Sequence, residues 1–244
     1  MTRGAGRRLG PFRQVLARLT DFWNQEHALS VFCVFLVLVI FVVNPLVAAG
    51  FLGKYLLHGF GSLVLVSGVM AIAHKQRLAF VAAAVVCISI VSRWLTDAFP
   101  SPGMSIWSET WSLATILLLT GVVLAHTFKS GAINFHRIQG SVAVYLLLGI
   151  AWSHAYFLVS QAHPGAFNMP AVSTDVDEMP QFVYYSFVTL TTVGYGDITP
   201  VHPFARSLAT LEALVGQLYP AILIARLVSM EIQGRMERQS PKAP

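Results

Sequence analysis

Charge is scarce in this chain: Asp, Glu, Lys and Arg together make up 11% of 244 residues, against roughly 25% in soluble domains. With 55% hydrophobic residues and a mean hydropathy of +0.65, a water-soluble globule is excluded as the starting position. Cysteine is almost missing. Cys33 and Cys87 lie inside apolar runs, so neither a disulfide framework nor a thiolate zinc site has support. The sequence also lacks an internal repeat of fixed period. It has no cluster of metal-ligating residues, no nucleophile placed with a base, and no phosphate-cradling glycine loop followed by lysine, so no enzyme activity and no cofactor is expected. The net charge of +5 does not point to nucleic acid, because the cations sit between apolar blocks and form no basic face.

Those blocks are what the chain does have. They cover about residues 28–50, 51–73, 78–95, 107–128, 138–160 and 204–230, and about 20 apolar residues suffice to cross a bilayer. Six spans put both termini on one side. Lys and Arg favour cytoplasmic segments, and here they collect in the N-terminal arm (Arg3, Arg7, Arg8, Arg13, Arg18), between blocks two and three (Lys75, Arg77), between four and five (Lys129, Arg137) and in the tail (Arg235, Arg238, Lys242). The alternate connections carry Asp97 and Glu109, then Asp175, Asp177 and Glu178. The bias predicts an integral protein of the cell (plasma or inner) membrane with cytoplasmic termini and an external 161–203 segment. A cleaved secretory signal at the first block is disfavoured, since its basic and apolar regions are both long for one. Residues 11–27 place Phe12, Val15, Leu16, Leu19, Phe22 and Trp23 at helical spacing, which suits an interfacial helix touching membrane lipids or a partly solvated one.

Between the fifth and sixth blocks lies a segment of different character. Residues 180–191 start at Pro180 and are apolar on most faces, but are too short to span; a helix that enters and returns fits. Thr192-Val193-Gly194-Tyr195-Gly196-Asp197 then sets two glycines at alternate positions. Such a stretch cannot continue a helix, and irregular backbone at membrane depth is tolerated only inside protein or along a water-filled path. A re-entrant loop lining an aqueous pore satisfies that rule.

The run Thr191-Thr192-Val193-Gly194-Tyr195-Gly196-Asp197 resembles, letter for letter, the filter signature of the P-loop potassium-channel superfamily, and the whole chain resembles its six-span prokaryotic type without a charged voltage-sensing helix. The resemblance implies an all-α membrane protein with a pore helix and selectivity filter between spans five and six. Backbone carbonyls of Thr192, Val193, Gly194 and Tyr195, with the Thr192 hydroxyl, would replace the water around a K+ ion, and four loops around one axis would close the ring. One signature per chain then requires a homotetramer. It further implies that Asp197 bonds to Tyr184, which stands where many relatives have tryptophan; Tyr185 departs from the same tryptophan pair. Val188 occupies a position where some relatives place a carboxylate behind the filter, so that interaction is expected to be missing here. The firm resemblance covers about 138–230 and is only architectural over 1–137.

The sixth block holds Gly216 and Pro220. Proline cannot donate to the carbonyl four residues earlier, which belongs to Gly216, so a bend is expected there. By resemblance these two form a gating hinge; a static packing kink is the other reading. Glu212 sits in the same block, where a carboxylate costs at least about 2.5–3.5 kcal/mol. It is expected to be a charge near the pore or a proton-sensitive latch behind the filter, or a protonated or hydrogen-bonded packing residue against a pore-helix hydroxyl such as Thr189 or Thr191. Gln217, by family register, lines the cavity below the filter. Lys54, His58, Arg93 and His154 read as isolated snorkelling or capped groups.

The fourth block, Trp111 to Phe128, contains no Lys or Arg. Moving one charge through 100 mV yields only about 2.3 kcal/mol, so steep voltage gating is not expected. The domains read as an arm at 1–27, a four-helix voltage-sensor-like unit without gating arginines at 28–137, a pore domain at 138–230 and a short tail at 231–244. The function these readings converge on is passive K+ conduction with little voltage dependence. The competing ones are the membrane subunit of a regulated potassium uptake system and a non-conducting membrane sensor. A separate regulatory subunit stays open as a partner, as does the stimulus that opens the pore.

Overall fold

The computed structural model describes residues 25–71, 76–99, 101–127, 135–170 and 178–239. Among these the chain is helical apart from one two-stranded ladder. The first span is α1 (Gln25–Leu38), a π turn at Val39–Val43 and α2 (Asn44–Ala48). The widened turn has a cause in sequence: Pro45 has no N–H for the carbonyl four residues back, and a π turn is one way to absorb the lost bond. Then come α3 (Lys54–Ala71), α4 (Gln76–Ala98), α5 (Pro102–Thr127) and α6 (Phe135–Ala162). After β1 (Phe167–Asn168) follow α7 (Met179–Leu190), β2 (Thr199–Pro200) and α8 (Pro203–Gln239).

The protein is a membrane protein. Among the described residues, five helices are long and apolar enough to cross a bilayer: 29–48, 80–98, 103–125, 137–162 and 203–232. The second expected span, 51–73, differs. Its helix begins only at Lys54 and its apolar stretch, Tyr55–Val69, is shorter than a full crossing. Ala49 to Gly53 are used in a turn that Gly50 enters at φ +76°. Two further boundaries move. Glu109, expected in a connection, lies inside α5, and the expected tail is helical as far as Gln239. The interfacial helix expected at 11–27 falls, up to residue 24, outside the described residues.

One apolar core joins α1, α3 and α5 to α6 and α7. Phe32 and Leu36 of α1, Val64 of α3, Leu119 of α5, Val144 and Leu147 of α6 and Val183 of α7 pack together. A fully buried Leu or Phe contributes about 1.5–3 kcal/mol, so this seam fixes where α6 stands. A second, aromatic core lies nearer the loop ends: Tyr156, Phe167, Phe182, Tyr185 and Ile198, with Tyr156 and Tyr185 ring centroids 4.9 Å apart. β1 and β2 pair antiparallel with Phe167 opposite Pro200. That ladder ties the segment after α6 to the segment just past Asp197, so the loop between α7 and β2 is held at both ends.

Candidate functional site

α7 starts with Pro180 in its first turn, a position where the missing N–H costs nothing. The helix ends at Leu190, with the Thr191 N–H bonded back to the Phe187 carbonyl. From there the backbone alternates. Thr192, Gly194 and Gly196 have φ of +59°, +59° and +81°, while Val193 and Tyr195 do not enter the left-handed region. Alternation of left- and right-handed residues turns successive carbonyls to one side, which a helix or strand cannot do. Glycine takes such angles freely; a threonine pays for them with strain of order 1–3 kcal/mol, so Thr192 must be held in place. Its N–H bonds to the Thr189 carbonyl at 2.9 Å and its Oγ1 accepts from Gln217 Nε2 at 2.8 Å.

The supports come from three helices. The Val188 carbonyl accepts the Val193 N–H at 2.9 Å and the Gly194 N–H at 3.4 Å, so Val188 supports the loop through its backbone. Tyr184 hydrogen-bonds Asp197. Tyr185 is buried, bonds Thr189 and packs on Tyr156. From α6, Tyr145 donates to the Leu190 carbonyl at 3.3 Å. Thr191 through Asp197 are exposed in the single chain, Tyr195 by 72%.

Gly216 is buried where α8 crosses the end of α7. A Cβ there would lie 1.9 Å from the Leu190 carbonyl oxygen, so close approach alone demands glycine. α8 is helical through Pro220. Glu212 is fully buried. The expected partners Thr189 and Thr191 are not its partners: it bonds to Tyr156 of α6 and Ser186 of α7. The reason is register. Ser186 lies one turn before Leu190 as Glu212 lies one turn before Gly216, so the two pairs are successive contacts of the same helix crossing.

A polar network in the peripheral unit was not legible as such. Arg93 Nη2 donates to Glu109 Oε1 at 3.2 Å and to Ser112 Oγ at 3.3 Å, and His154 Nδ1 donates to the other Glu109 oxygen at 2.6 Å. His58 and Asp97 pair at 2.8 Å. Three residues read as isolated are therefore each paired with a carboxylate, and one of these contacts reaches from α5 to α6. They border a largely apolar cavity of about 100 Å³. The scarcity of charge was the available signal: cations and carboxylates buried in a bilayer must pair.

A short helix followed by an exposed loop of alternating backbone handedness thus lies between two helices of membrane-crossing length. Residues 144–233 match the family model described as Ion channel. The chain is 36% identical over 91 residues to Protein LctB of Bacillus caldotenax, covering 37% of this chain and 61% of that protein. It is 26% identical over 107 residues to the potassium voltage-gated channel protein shk-1 of Caenorhabditis elegans, covering 44% and 18%. To the inward rectifier potassium channel Kirbac3.1 of Paramagnetospirillum magnetotacticum it is 34% identical over 83 residues, covering 32% and 24%. The chain thus spans about three fifths or less of these relatives' own lengths. No solved structure matches with comparable significance. Through this region the chain is similar to ion-channel proteins, potassium channels among them.

Proposed function

We propose that the protein conducts K+ passively and selectively across a cell membrane, through a filter built from Thr192, Val193, Gly194 and Tyr195 of four identical chains. The observation that carries this reading is the alternating backbone at residues 192–196. Left-handed residues at every second position can turn successive carbonyl oxygens to one side, the arrangement needed to replace the hydration of a monovalent cation. One chain gives one strip of oxygens, and its exposure in the monomer is what a fourfold ring requires. Asp197 with Tyr184, and the Val188 carbonyl with two filter N–H groups, brace the strip from behind.

The peripheral helices serve as six-span scaffolding in this reading, with Lys54–Ala71 as a short second crossing. The positive flanks put both termini in the cytoplasm and the β1–β2 ladder outside. With no cation in the fourth span, gating is only weakly voltage-dependent. Gly216 and Pro220 form the bend of the inner helix, and Gln217 sits at the inner end of the filter. K+ is cargo and no cofactor takes part. Single-channel recording of the purified protein in a planar bilayer tests the proposal: discrete K+ currents are expected, and a silent bilayer at high reconstituted density would favour the non-conducting sensor instead.

A further inference from the structure

We propose that Glu212 is held as a neutral carboxylic acid and, as a hydrogen-bond donor, positions the pore helix α7 against the inner helix α8. The argument is a proton count. Three close oxygen–oxygen contacts form one chain: Tyr156 Oη to Glu212 Oε2, Ser186 Oγ to Glu212 Oε1 at 2.5 Å, and Ser186 Oγ to the Gly149 carbonyl at 2.7 Å. Each such contact needs a proton between its oxygens, or two lone pairs face each other. Tyr156 supplies one proton and Ser186 one. The third has to come from Glu212.

The direction of each bond follows. The Gly149 carbonyl can only accept, so Ser186 donates to it and must accept from its other neighbour. Glu212 therefore carries its proton on Oε1 and donates it to Ser186 Oγ, while Oε2 accepts from Tyr156. Every donor and acceptor in the chain is then used once. An ionised Glu212 would leave one contact without a proton.

The surroundings agree. Glu212 is 0% exposed, and none of the ion pairs among the described residues includes it. The titratable groups that face it are phenols: Tyr145 and Tyr156 from α6 and Tyr185 from α7. Among the described residues no cation pairs with it, and a carboxylate withdrawn from water without one is costlier than its protonated form.

Placement gives the acid its task. The Glu212–Ser186 bond lies one helical turn from the Gly216–Leu190 contact, and the two together fix the register of α8 on α7 just before Thr192. Glu212 is thus a positioning residue for the filter. Its effect on conduction rests on the function proposed above; its protonation does not.

The test is infrared difference spectroscopy of the full chain in lipid vesicles at neutral pH, wild type against Glu212→Gln. A carbonyl stretch of a protonated carboxylic acid, shifted in D2O and absent in the variant, is expected. In Ser186→Ala the band should move to higher frequency as the acid loses its acceptor. Glutamine can accept from Tyr156 and donate to Ser186, so Glu212→Gln should keep K+ flux within about twofold of wild type, whereas Glu212→Ala should lose about tenfold or more. No acid band at neutral pH, or a Glu212→Gln variant as impaired as Glu212→Ala, would overturn the proposal. A band with no flux in any variant would uphold the proton count while removing the conduction reading.

Discussion

The two halves of this molecule are stabilised by different means. In the pore half, from Phe135 to Gln239, backbone geometry decides: alternating φ at Thr192, Gly194 and Gly196, two N–H groups on one Val188 carbonyl, and a glycine admitting a carbonyl where a side chain cannot fit. In the peripheral half, from Gln25 to Thr127, side chains decide: an apolar seam against α6 together with the Arg93–Glu109 ion pair. Tolerance to substitution should therefore differ. Changes of shape hurt the first half, and changes of charge hurt the second.

Gly216→Ala is the sharpest way to break that contrast. A Cβ 1.9 Å from the Leu190 oxygen cannot be absorbed without moving α7 or α8, and overpacking of this kind costs about 3 kcal/mol or more. The expected outcome is loss of the assembled pore, read as monomer in size-exclusion chromatography and absence of K+ flux. A stable, conducting Gly216→Ala tetramer would show that glycine serves there for bending alone.

Glu109→Ala is the corresponding change in the peripheral half. It leaves Arg93 without its carboxylate and His154 without its acceptor, and breaking a largely buried pair costs about 3 kcal/mol. A lower melting temperature with ion preference unchanged is expected. If selectivity fell with stability, the Glu109–His154 contact would be passing strain into the filter, and the division between halves would be too sharp.

Tyr184→Phe removes one hydrogen bond to Asp197, worth about 1 kcal/mol. The filter should still prefer K+ but collapse sooner when external K+ is lowered, a change readable as faster decline of current. Pro220→Ala restores a missing helical N–H and should shift open probability with little effect on ion preference. The smallest effect is expected from the membrane potential itself. With no cation in the fourth span, the effective gating charge should stay below about one, since each charge contributes only about 2.3 kcal/mol per 100 mV.

What the sequence disclosed divides along the same line. Helix α7 was expected at 180–191 and lies at Met179–Leu190, because a proline start and the irregular residues from Thr192 are local signals. The fifth and sixth spans were placed within a few residues at their starts. The Tyr184–Asp197 bond and the proximity of Gln217 to the loop came from the family resemblance. Long-range pairings were not readable. Nothing local to Arg93, Glu109 or His154 says that three separate helices bring them together, and nothing local to Glu212 selects Ser186 over Thr189. Helical register on a partner decides both, and register emerges only when the helices are packed. The late start of α3 was not readable for another reason: apolar composition runs through Phe51 and Leu52, while the turn at Gly50 takes those residues out of the helix.

The central claim is that main-chain oxygens of this loop substitute for the hydration of K+ and not of Na+. Reversal potential under opposed K+ and Na+ solutions, with purified full-length protein in a bilayer, measures it directly. A potential close to the K+ equilibrium value is the predicted result; a potential near zero, meaning equal passage of both ions, would contradict it.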